Sequence, residues 1–180
     1  MASILLISPK SSLRGKRALP DIICDTSPIQ YLYQLGLLHI LPALVEQVIV
    51  PPAVIEELAV GRTLGVSLPD PAALDWVIVR HPTSEPALPL ITDMGPGETQ
   101  VLMLALESHD AVVVLDDALA RQVAEILSLR LTGTLGLLLD AKHAGLIPAV
   151  APLLDQLQAL RFRLAPHTLS AVLKLAQENA

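Results

Sequence analysis

The chain has 180 residues, of which 52% are hydrophobic and 2% aromatic, with a formal net charge of −6. That length suits one domain with a sizeable core. No apolar run approaches the roughly 20 residues needed to span a bilayer, and a lone cysteine, Cys24, excludes an internal disulfide and any multi-cysteine zinc site. A cytoplasmic protein with no membrane association is the default expectation.

Residues 1–20 contain Lys10, Arg14, Lys16 and Arg17 and no acid. They read as an irregular basic lead-in, either a flexible arm or a start placed too early. Residues 21–180 form the expected single domain. They keep eight basic and eighteen acidic residues, a net −10. An acidic body does not attract phosphate backbones unaided, and scarce aromatics leave few platforms for stacking bases. Both facts disfavour a general nucleic-acid-binding module. They agree with an acidic metal site or a basic partner.

Asp21 to Cys24 reads as a short strand ending at Asp25. Ser27 at N-cap and Pro28 at N1 predict the next helix, with Ile29, Leu32 and Tyr33 inward and Gly36 as its stop. Leu37 to Val45 predicts a further helix, with His39 in it as a structural residue. Gln47 to Val50 is a second strand. Pro51 and Pro52 open a helix to about Val60, with Val54, Ile55 and Leu58 inward and Glu56 and Glu57 in its middle turn. Gly61 to Pro71 is a loop or weak helix. Asp75 to Arg80 is a third strand, and His81 to Asp93 is an irregular, Pro-rich crossover or flap.

Gly95-Pro-Gly97 is a turn. Glu98 to Glu107 then reads as helix with Val101, Leu102, Ala105 and Leu106 inward and Glu98 in the first turn, where the helix dipole favours an acid. Val112 to Leu115 are four apolar residues, three of them β-branched, as in a parallel strand buried on both faces. Asp116 and Asp117 end it. Ala118 to Leu127 is helical, with Leu119, Val123, Ile126 and Leu127 on one face. Leu129 to Leu131 is the last strand. Thr132 or Thr134 caps a helix over Leu135 to Ala144, and Gly145 stops it. Helices starting at Pro148 and at Pro166 or Thr168 complete the chain; they are expected to form a hairpin against the sheet or a dimer contact.

Strands alternating with helices predict an α/β fold with a mostly parallel sheet. Asp25 and the pair Asp116/Asp117 then share the carboxyl edge of that sheet, where ligands bind in open α/β folds. Any one of these acids could be a helix cap; two adjacent acids exceed what one cap needs. Carboxylates gathered in one pocket raise each other's pKa unless a cation neutralises them. Oxygen-only ligands suit Mg²⁺ or Mn²⁺, which can position and deprotonate water for attack on a phosphodiester. Arg121, four residues after Asp117, is either an i,i+4 ion-pair partner or a phosphate contact. The histidines show no metal-ligand spacing, and Cys24 reads as a small buried hydrophobe.

Five segments in order, Ile-Cys-Asp-Thr-Ser-Pro-Ile (23–29), Val-Ile-Glu-Glu-Leu (54–58), Gly-Pro-Gly-Glu-Thr (95–99), Leu-Asp-Asp-Ala-Leu-Ala-Arg-Gln-Val-Ala (115–124) and Thr-Gly-Thr-Leu-Gly-Leu-Leu (132–138), resemble a PIN-like domain. The similarity runs from about residue 21 to the C-terminus. It is strongest to the bacterial and archaeal branch with a Gly-Glu helix start and an Asp-Asp-x-x-x-Arg motif. It implies a three-layer α/β/α fold, frequent homodimers, and a Mg²⁺- or Mn²⁺-dependent ribonuclease, often the toxin of a toxin–antitoxin pair. By the same resemblance Asp25, Glu98 and Asp117 are the metal-holding acids, and Glu57 and Asp116 complete the catalytic set. Glu98 stands where ordinary PIN domains usually carry Asp. The competing expectation is a non-catalytic PIN-like protein whose acidic pocket docks a basic, antitoxin-like partner. A phosphatase-like hydrolase is weaker, because no Asp-x-Asp follows the first strand.

Overall fold

The computed structural model describes residues 19–83, 94–108 and 110–178. Most of the expected lead-in, the greater part of the Pro-rich segment and His109 lie outside them. Among the described residues five three-residue strands form one sheet: β1 (Ile22–Cys24), β2 (Val48–Val50), β3 (Val77–Val79), β4 (Val112–Val114) and β5 (Arg130–Thr132). All pairings are parallel, in the order β3-β2-β1-β4-β5. Every residue of β1, β2 and β4 is buried. This is why their sequences are unbroken apolar runs and not alternating ones. β3 is one of the two edges, and its Ile78 and Val79 are exposed.

The helices are α1 (Thr26–Gln34), α2 (Leu41–Leu44), α3 (Pro52–Thr63), α4 (Pro96–Glu107), α5 (Ala118–Ile126), α6 (Thr134–His143), α7 (Ala151–Ala159) and α8 (Pro166–Leu175). They cover the sheet in a three-layer α/β/α arrangement. Among the described residues none is long and apolar enough to cross a membrane. The chain steps outward from β1 through β2 to β3, then crosses back through α4 to β4 on the other side of β1. That reversal puts a topological switch point between β1 and β4, and a crevice forms at such a point beyond the carboxyl ends of the strands.

Several local expectations are corrected. Asp25, not Ser27, occupies the N-cap of α1, and the helix begins at Thr26. Leu37 to Val45 forms a 3-10 turn (Leu38–Ile40) and the single-turn α2, because Pro42, past the middle of the segment, has no N–H to continue one helix through it; His39 is exposed. α3 runs on to Thr63. In α4, Leu104 is buried and Leu106 is 43% exposed; in α5, Ala120 and Ala124 are buried and Ile126 is 73% exposed. In both helices neighbours on more than one side select the buried stripe: α4 packs on β1, β4 and α3, and α5 on β5 and α4. Gly133 takes the N-cap position of α6, which leaves Thr134 inside the helix.

α7 begins at Ala151 and not Pro148, for a reason 28 residues away. Glu178 accepts the backbone N–H groups of Val150 at 2.7 Å and Ala151 at 2.8 Å, and it also pairs with Lys142. A glutamate from the chain's end thus supplies the acceptors that a helix start lacks. Burial pulls its carboxyl upward, but Lys142 and the two N–H groups outweigh this and hold it below its usual value. Glu178→Ala should lower stability by about 1 kcal/mol at neutral pH. A carboxyl depressed in the folded state stabilises above its unfolded pKa and loses that contribution as pH falls through its folded value. The Tm difference from wild type should therefore shrink in acid; a gap that persists at low pH would contradict this role for the carboxylate.

Candidate active site

The site is built on the switch point. Asp25 follows β1 directly, and its backbone N–H is held by the Val114 carbonyl of β4 at 3.1 Å. Asp116 and Asp117 follow β4. α4 precedes β4 and runs against the strands, so its first turn, with Glu98, starts at the same edge. α3 starts there too, with Glu57 in its second turn. Glu57 accepts the Gly97 N–H at 2.8 Å and also the Thr26 hydroxyl. Both its oxygens are therefore used, and it clamps the starts of α1 and α4 together. A side chain at Gly97 would displace the clamp: a Cβ there would come within 2.7–3.0 Å of the Glu57 carboxylate. Glu56, beside it, is exposed.

Of the acids at this edge Asp25 is the least exposed, at 1%, and among the described residues its Oδ1 has no hydrogen-bond partner. The N–H groups of Thr26 and Ser27 lie near enough to favour its charge, but neither makes a cap hydrogen bond. Burial pushes its pKa up to about 8, and the charges of Glu98 and then Glu57 push in the same direction. Glu98 is raised as well, first by burial and then by Glu57 and Asp117. Asp25, Glu57 and Glu98 therefore lie within each other's electrostatic reach, and Asp117 within that of Glu98. Among the described residues no three His, Cys, Asp or Glu side chains stand close enough to hold a metal ion as they are oriented. Glu57 is turned to its own donors, the Gly97 N–H and the Thr26 hydroxyl. Cys24, immediately before Asp25, is fully buried, and burial raises its thiol pKa.

Asp117 is exposed and caps α5, accepting the Ala120 N–H at 2.9 Å. Asp116 faces the other way. Its Oδ1 accepts the Thr134 N–H at 2.9 Å and its Oδ2 the Thr134 hydroxyl at 2.5 Å, so it fixes the start of α6. Burial raises its pKa, while Thr134 and Arg121 pull it back. Arg121 donates from Nη1 to the carbonyls of Leu115 at 2.9 Å and Thr132 at 3.1 Å, tying the ends of β4 and β5 together. Gly133 completes this knot. A Cβ there would lie 2.7 Å from Asp116 Oδ1, 2.9 Å from the Leu115 carbonyl and 3.0 Å from Arg121 Nη1. The Thr-Gly-Thr segment thus couples two strand ends to one acid, a role that depends on β4 and β5 being neighbours. Gly133→Ala should destabilise by about 1–3 kcal/mol through overpacking against backbone, read as a lowered urea midpoint. An unchanged midpoint would mean that the knot relaxes without cost.

One family model, described as DUF3368 and as a PIN domain, matches residues 21–178. The chain belongs to this PIN-domain family. No curated protein and no solved structure gives a significant match. The family agrees with the parallel α/β/α architecture and with acids collected at the carboxyl edge. PIN domains are generally nucleases that use divalent metals. The buried, unpartnered Oδ1 of Asp25, beside the raised carboxyl of Glu98, is a donor set that suits a hard divalent cation.

Proposed function

We propose that this PIN domain is a divalent-metal-dependent ribonuclease that hydrolyses RNA phosphodiesters. Asp25, Glu98 and Asp117 would hold Mg²⁺ or Mn²⁺. Glu57 and Asp116 would keep those acids in place through Thr26, Gly97 and Thr134. The observation that carries the reading is Asp25: a buried carboxyl with a bare oxygen, facing further acids at the switch point of the sheet. A bound cation would supply Lewis-acid stabilisation of the phosphate and a water of lowered pKa. The chain's own contribution is orientation. The Glu57 clamp sets the angle between the starts of α1 and α4, and so the separation of Asp25 and Glu98. The cap to Ala120 fixes Asp117. Asp25, protonated near neutral pH without a cation, releases its proton when it takes up a ligand.

The proposal extends to a toxin of a toxin–antitoxin pair, restrained by a basic, antitoxin-like segment seated over the acidic edge, and to a homodimer. The net −10 over residues 21–180 also favours a second reading, in which the edge only docks such a basic partner and cuts nothing. The test is cleavage of single-stranded RNA by purified protein with Mn²⁺ or Mg²⁺ and with chelator. Metal-dependent cleavage by the wild type, lost in both Asp25→Asn and Glu98→Gln, is expected. Cleavage that survives in both variants would mean a contaminating nuclease. No cleavage of any RNA would leave the docking protein as the better reading.

A further inference from the structure

Beside the acidic edge lies a cavity of about 130 Å³, between the start of α6 and the segment joining α7 to α8. Thr132, Gly133, Gly136, Arg163 and Thr168 are among its walls, and Asp116 is shared with the acidic site. We propose that this cavity holds a backbone phosphate of the RNA, adjacent to the phosphate that is cut; the inference rests on the ribonuclease reading above.

Three features converge on an anion. The first N–H groups of a helix have no carbonyl partner within it, and they carry the positive end of its dipole. In α6 the Thr134 N–H is taken by Asp116, while the next two positions, Leu135 and Gly136, line the cavity. Second, Thr132 is 1% exposed and among the described residues its Oγ1 has no hydrogen-bond partner, although buried hydroxyls are normally satisfied. An acceptor in the cavity would accept a hydrogen bond from that hydroxyl. Third, the exposed Arg163 supplies a guanidinium at the rim. Guanidinium groups bind phosphate through charge-assisted hydrogen bonds. Asp116 is the one acid on the wall. Both its oxygens are bonded to Thr134, and Arg121 stands beside it. Those bonds and Arg121 offset part of the burial that raises its carboxyl, so the wall does not carry a bare carboxylate.

The position fits a polymer better than a free anion. Asp116 opens onto the cavity and Asp117, the next residue, belongs to the acidic edge. A chain lying across that edge must place a neighbouring phosphate close by. The need is also clear: the body is acidic and poor in aromatics, so general attraction and base stacking give little grip. A local phosphate socket would supply it.

The test uses amide ¹H–¹⁵N spectra of the full chain in metal-free buffer, where RNA is bound but not cut. Millimolar inorganic phosphate should shift the Leu135 and Gly136 amides. Arg163→Gln and, separately, Thr132→Val should weaken that response by about tenfold while leaving the rest of the spectrum folded. A short single-stranded RNA should shift the same amides at concentrations about tenfold lower than phosphate does. Silence of these amides to both probes in the wild type, or an unchanged response in Arg163→Gln, would overturn the site. A response to phosphate but not to RNA would make it a small-anion site and overturn the assignment to RNA. These outcomes are independent of catalysis. An active nuclease with silent amides loses only the phosphate socket; a protein that shifts with RNA and never cuts loses only the nuclease.

Discussion

Asp25→Asn should make the metal-free protein more stable and remove its metal response. The wild-type carboxyl, with an ordinary pKa of 3.8, is pushed up to about 8 in the folded state, by burial first and then by Glu98. Between those values the folded chain keeps a proton that the unfolded chain has released. Stability of the wild type without metal therefore falls as pH rises through that window and levels off above about 8. The slope has an upper limit of about 1.4 kcal/mol per pH unit. Asparagine has nothing to ionise and can donate its amide N–H to Glu98. At pH 8 the variant should exceed the wild type by about 1–3 kcal/mol, and the gap should close as pH falls toward the ordinary carboxyl value of 3.8. Urea unfolding of both proteins across this range measures the difference directly. The same linkage makes metal binding compete with a proton, so Mn²⁺ should raise the wild-type Tm more at pH 8 than at pH 6. Parallel stability curves for the two proteins would mean that Asp25 is ionised throughout and needs no cation.

The second large effect is on Asp117. This acid is exposed, and as a cap it needs only an oxygen that accepts the Ala120 N–H. Asparagine caps helices as well as aspartate. Asp117→Asn should therefore change stability by no more than about 0.5 kcal/mol. Its cleavage rate should nevertheless fall by at least about a hundredfold, because one charge facing Glu98 is gone. Asp117→Ala should lose the same activity and about 1 kcal/mol of stability besides. The comparison separates capping from chemistry. An Asn variant that retains full activity would reduce Asp117 to a cap.

The sheet was legible because each central strand is buried on both faces, and a short β-branched run such as Val112–Val114 has few other ways to fold. The acids at its edge were legible for the same reason: Asp25 and Asp116 interrupt apolar runs where a strand must end. Glu57 was different. Nothing in its spacing separates it from Glu56; only the family resemblance marked it, and its clamp on Thr26 and Gly97 appears once α1, α3 and α4 are assembled. The roles of Gly133 and Arg121 were hidden because they depend on which strands are neighbours. The start of α7 was hidden because its acceptor, Glu178, lies near the far end of the chain. Local pattern likewise could not choose between Leu104 and Leu106, since α4 is packed on more than one side. Thr132 read as a possible cap; its unpartnered hydroxyl emerges only from the packing around β5.

The most direct test of a cation-binding acidic edge is calorimetric titration of Mn²⁺ into the wild type and into Asp117→Asn at pH 8. Saturable binding with proton release in the wild type, lost in a variant of equal Tm, is the expected result. Equal binding by both proteins, or no heat up to millimolar Mn²⁺ in a folded wild type, would contradict it.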